Sequence, residues 1–186
     1  MKTKVIVVII VLLSAIISCN PNNKRIAQNT KPTIDSTFYI TKNIALYDNV
    51  DSLLNIGILS YNTQYKGEIA TDTCYNGVNF QEVQINYACE NSKNIRNVAF
   101  AKYCSFNDIQ NDFNKLANIL NRKYGKPKSK KQREIHNNEA FATNFVYQTK
   151  DIMALLSSTA IYKDKGGTVI LIFTVPQDSL YFKVYL

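Results

Sequence analysis

"SFNDIQNDFNKLANILNRKYGKP", residues 105–127, decides how the rest of the chain is read. Ile109, Phe113, Leu116, Ala117, Leu120 and Tyr124 recur at intervals of three and four, so they share one face of a helix. Ser105, with Asp108 three residues later, is a capping-box start. Gly125 offers a C-cap with positive φ, and Pro127 forbids continuation. The spacing predicts a helix over about 107–124 with one apolar face to bury.

On both sides the period changes from 3.6 to two, the mark of half-buried strands. Before the helix, "GVNFQEVQINYA" alternates Val78, Phe80, Val83, Ile85 and Tyr87 with polar residues. A one-residue slip between Phe80 and Val83 suits a bulge. "GEIATDTC" and "NIRNVAFAKY" read as further strands. After the helix come "EAFATNFVYQ", "IMALLSSTAIYK", "GTVILIFTV" and "SLYFKVYL". Their joints are short and polar or Gly-rich, as antiparallel hairpins require.

Upstream, "DNVDSLLNIGIL", residues 48–59, is a weaker helix: Val50, Leu53, Leu54 and Ile58 share a face, but Gly57 interrupts it. The order becomes helix, three strands, helix, three or four strands. The expected fold is α+β: antiparallel sheet with one main amphipathic helix packed on a face, and a duplicated α-β-β-β unit.

The start of the chain indicates where it works. Lys2 and Lys4 precede an apolar run from Val5 to Ile17. That run is shorter than the roughly 20 residues a bilayer-spanning helix needs, and it has the form of a secretory signal. It ends in Ile16-Ile17-Ser18-Cys19, which looks like a bacterial lipobox. The resemblance implies diacylglycerol on the Cys19 thiol, cleavage before Cys19, and a further acyl chain, such as palmitate, on the new amine. An ordinary signal peptide with an incidental cysteine is the alternative. The expected organisation is a signal peptide over 1–18, an acylated Cys19 and polar tether over 19–34, and a single α+β domain over 35–186. Asn20, rather than Asp, follows the cysteine, which in lipoproteins points to the outer membrane, facing the periplasm or the surface.

"NVAFAKYCSF", residues 97–106, and "KYGKP", residues 123–127, resemble a group of small uncharacterised lipoproteins of gut-type bacteria. The resemblance implies a secreted α+β domain with no assigned activity. The α-β-β-β duplication is also similar in topology to β-lactamase-inhibitor-protein-like folds, and topology does not carry function.

The chain's formal charge is +8, of which Lys2 and Lys4 belong to the signal segment. "RKYGKPKSKKQR", residues 122–133, holds seven basic residues and no acidic one, so the rest of the mature chain is close to neutral. Arg122 and Lys123 suit a helix C-terminus. Lys126, Lys128, Lys130, Lys131 and Arg133 read as a basic helix-to-strand loop. They are either plainly solvated or in contact with anionic lipid headgroups or an acidic envelope partner. Nucleic acid is a poor partner, because only Tyr124 interleaves the run.

Candidate chemistry is sparse. Cys74, Cys89 and Cys104 fall at the ends of the first three expected strands. Cys74 and Cys104 then lie at the same end of a meander and either form a disulfide or remain free buried thiols. His136 is the only histidine, and a Cys104–His136 dyad is the least weak enzymatic candidate. The cysteines and histidine lack zinc-ligand spacing, and neither a phosphate-binding loop nor a nucleophile elbow appears. No metal or cofactor is expected. The leading expectation is a lipid-anchored, non-catalytic binding or scaffold module of the cell envelope; the alternative is an envelope enzyme with an unrecognised site.

Overall fold

The computed structural model describes residues 38–87, 93–135 and 139–176. The chain divides into two units, Met1–Ser36 and Thr37–Leu186. Among the described residues, ten strands and two helices follow in the second. The first helix, α1, is Val50–Asn55. Then come β1 (Leu59–Asn62), β2 (Gly67–Ala70), β3 (Cys74–Tyr75), β4 (Val78–Asn79), β5 (Glu82–Tyr87) and β6 (Ile95–Ser105). The long helix α2 (Phe106–Tyr124) leads into β7 (Ser129–Ile135), β8 (Ala140–Gln148), β9 (Met153–Ile161) and β10 (Gly166–Thr174).

Among the described residues, eight strands form one sheet in the order β1-β2-β5-β6-β10-β9-β8-β7, and β3 and β4 make a separate ribbon. All the pairings are antiparallel. A helix followed by a four-strand meander therefore occurs twice. In each half the first strand is at an edge and the last is at the centre, where β6 pairs with β10 from Asn97–Thr174 to Ser105–Gly166. The fold is α+β, as the periodicity implies, and among the described residues each helix is followed by four strands of the large sheet.

The helix forms where the periodicity places it. The Ser105 hydroxyl accepts from the Asp108 amide and donates to its carboxylate. At the other end Gly125 has φ 81° and ψ −166°, a region open to glycine. Ile109, Phe113, Leu116, Ala117 and Leu120 are buried, as one face of α2. They pack on a sheet face that presents Phe100, Leu156, Leu171 and Phe145 in one lateral row. Phe100 touches Tyr75, Phe80 and Phe173, with ring centroids 5.2–6.1 Å apart. Ile109 sits directly over Gly167, whose missing side chain lets the helix approach.

Three local expectations change. The Phe80–Val83 slip is not a bulge within one strand but the corner between β4 and β5. There the Phe80 amide bonds back to Thr73, and that of Gln81 to Ala101 of β6. "GEIATDTC" likewise splits, between β2 and β3. The weak upstream helix contracts to Val50–Asn55, capped by the Asn49 side chain, and Gly57 has φ 74° just beyond it. The last expected strand, within residues 179–186, lies outside the described residues.

Candidate functional site

The basic segment is a connector only over residues 125–128 and a strand beyond it. After Gly125 and Pro127 the Lys128 amide donates to the Val146 carbonyl at 2.8 Å. Pairing with β8 then runs from Ser129–Val146 to Ile135–Ala140. Residues 129–135 are thus the edge strand β7. An edge strand has one side toward solvent, and charged side chains, lysine especially, are common there because they block pairing with other chains. With few apolar residues it has no period-two signal, so its sequence reads as a connector.

Strand geometry sorts the charges. Lys130 lies opposite Phe145 on the helix-bearing face, and its ammonium stands 4.9 Å from the centre of that ring. Lys128, just before the strand, places its ammonium 3.5 Å from the Gln148 side-chain oxygen. Lys131 and Arg133, opposite Asn144 and Ala142, point to the other face. Lys126 lies in the turn after α2. All five are exposed, and among the described residues none has a carboxylate partner. Lys123, in the last turn of α2, behaves differently. Lys123 donates to the Tyr39 carbonyl at 2.8 Å, and burial pulls its ammonium pKa down.

Cys74 and Cys104 do not meet as a disulfide: both are free thiols. Cys74 opens the small ribbon, whereas Cys104 lies opposite Gly167 near the end of β6, beneath α2. The expected shared meander end does not exist, because β3 is not in the large sheet. Burial pushes the Cys104 thiol up to about 11, and nearby Lys102 only partly offsets this. A thiol so placed is protonated at neutral pH and a poor nucleophile. His136, Cys89 and Cys19 lie outside the described residues.

An ion pair that sequence reasoning missed joins Lys102 on β6 to Asp112 on α2, whose side chains are 25% and 19% exposed. Only the β6–α2 packing brings these residues together, and no local spacing encodes it. Among the described residues, no group of three or more His, Cys, Asp or Glu could hold a metal ion, and no helix is long and apolar enough to cross a membrane. No family model, curated protein or solved structure matches the chain.

Proposed function

We propose that the chain is a lipid-anchored lipoprotein of the bacterial cell envelope, held in the outer membrane through Cys19, and that it acts as a non-catalytic binding or scaffold module. On this reading the β7 edge contacts anionic lipid headgroups. The observation that carries it is the set of five exposed basic side chains on and beside one sheet edge, without carboxylate partners among the described residues. Near an anionic surface each such charge contributes about 1 kcal/mol. A lipid anchor supplies the first membrane attachment, and a basic patch is the usual second one.

The test has two arms. Cys19→Ala should abolish lipid labelling and leave the precursor unprocessed at this site; an unlabelled wild type would refute the anchor. Unlipidated protein from about Lys31 onward should bind vesicles containing phosphatidylglycerol more tightly than neutral vesicles. That binding should weaken with salt, since exposed charges are screened beyond about 8–10 Å at physiological ionic strength. Replacing Lys128, Lys130, Lys131 and Arg133 with Gln should remove the preference. Equal binding by both forms would leave the charges with their edge-protecting role alone.

A further inference from the structure

Two tyrosine hydroxyls are shut inside the core. Tyr75, on the β3–β4 ribbon, is 1% exposed, and Tyr124 is the last residue of α2. Both hydroxyl oxygens are closed to solvent, and among the described residues neither has a hydrogen-bond partner. A buried hydroxyl left unpaired carries its full desolvation cost, and phenylalanine would fill the same space without it. The two rings meet on one residue. The ring centre of Phe173, on β10, lies 5.4 Å from that of Tyr75 and 6.3 Å from that of Tyr124. Burial raises the pKa of both phenols, and at Tyr124 the neighbouring Tyr75 adds to the rise. The hydroxyls are therefore within electrostatic reach of each other, yet they do not bond directly.

We propose that the core holds one ordered water between the Tyr75 and Tyr124 hydroxyls, hydrogen-bonded to both. A buried water needs two to four polar partners and commonly has about three. The hydroxyls supply two. The Asn76 side chain, which acts on Tyr75 without making a well-formed bond to it, is placed to supply the third. The surrounding rings of Phe100 and Phe173 are apolar, so the site suits a small neutral molecule. The nearby cation is already engaged: Lys123 stands 5.2 Å from the centre of the Tyr124 ring and donates to the Tyr39 carbonyl. The water has a structural role. The ribbon stands outside the large sheet, and on the surface Lys115 of α2 ties it down by donating to the Gly77 carbonyl at 2.7 Å. The water is a second link, inside the core, between the ribbon and the last turn of the helix.

The sign of a Tyr→Phe change decides. If each hydroxyl binds the water, Tyr75→Phe and Tyr124→Phe should each raise the unfolding equilibrium constant about two- to tenfold in urea at pH 7. The double variant should be no worse than the weaker single one, because either change alone breaks the bridge. Unchanged or tighter folding in either single variant would show a plain unpaired hydroxyl and overturns the proposal. A double effect equal to the product of the single ones means two separate environments and overturns it too. Oxygen-17 relaxation of the whole chain is the direct readout: each single variant should hold one long-lived internal water fewer than the wild type. An equal count overturns the proposal. Should a variant fail to fold, a crystal structure of the unaltered chain decides. A single water within about 3.2 Å of both oxygens supports the proposal, and an empty gap or a larger molecule there overturns it.

Discussion

Lys102 of β6 and Asp112 of α2 form an ion pair that ties the long helix to the strand preceding it, both side chains being about three-quarters or more buried. Ser105 caps the helix between them, so β6, its turn and the first turns of α2 are one hydrogen-bonded piece. Removing one partner strands the other in a low-dielectric setting, which costs more than removing both. Asp112→Ala should therefore destabilise by about 1–3 kcal/mol. Lys102→Met with Asp112→Leu should recover most of that loss in urea unfolding. Equal losses in the single and double variants would show the pair to be energetically silent.

Stability should fall steeply at alkaline pH. Lys102 is raised by its hydrogen bond to Asp112, so its contribution is complete below its unfolded pKa and disappears as pH rises through the folded one. The Tyr75 phenol is pushed up to about 12 by burial. Between pH 10 and 12 the unfolded chain ionises this group while the folded one holds its proton, so folding weakens. Each proton held in excess by the folded state contributes a slope of about 1.4 kcal/mol per pH unit. Tyr75→Phe should flatten the decline measured by chemical unfolding between pH 10 and 12.

Gly167→Ala should be among the most damaging single-methyl changes. A Cβ there would run into the Thr159 carbonyl and meet the Ile109 side chain at 2.9 Å, forcing β9 or α2 to move. Gly125→Ala meets nothing within 4 Å, and its cost, about 1–3 kcal/mol, comes from its positive φ alone. Thermal unfolding of the two variants should separate them clearly.

Leu120 is 0% exposed beneath the last turns of α2. Leu120→Ala should cost about 2–5 kcal/mol. A loss below about 0.5 kcal/mol in urea unfolding would mean that the helix does not pack as described.

The thiols should react in a fixed order. Cys74 is half-buried, whereas Cys104 is buried and has a raised pKa. At pH 8 an alkylating reagent should modify Cys74 well before Cys104, followed by peptide mapping. Faster reaction at Cys104 would signal an activated thiol there.

What could be read in advance follows from how locally each feature is encoded. The α2 face was legible because Ile109 to Leu120 carry their period within a few turns, and β8 to β10 because apolar residues and short joints bound them. The edge strand was not, because its outward-facing side buries nothing, leaving lysines where alternation would show. The corner at Phe80–Gln81 looks like a register slip from sequence alone, since both strands beside it alternate correctly. Cys74 and Cys104 seemed to share a meander end only while the β3–β4 ribbon went unseen. Gly167 and the Lys102–Asp112 pair depend on tertiary approach across the sheet, which no short window contains.

The central seam also sets an order of events during synthesis. The strand β6 emerges with β5 beside it, but its other neighbour, β10, lies beyond α2 and three further strands. Until those residues are made, the longest strand of the sheet keeps an unpaired edge bearing Val98 and Phe100. This is the kind of surface that recruits stray strands. When β10 arrives it has a partner on each side, β6 and β9. The sheet is thus completed from its middle, late, by a single insertion, and a ribosome stalled before residue 166 would release a chain with that gap still open.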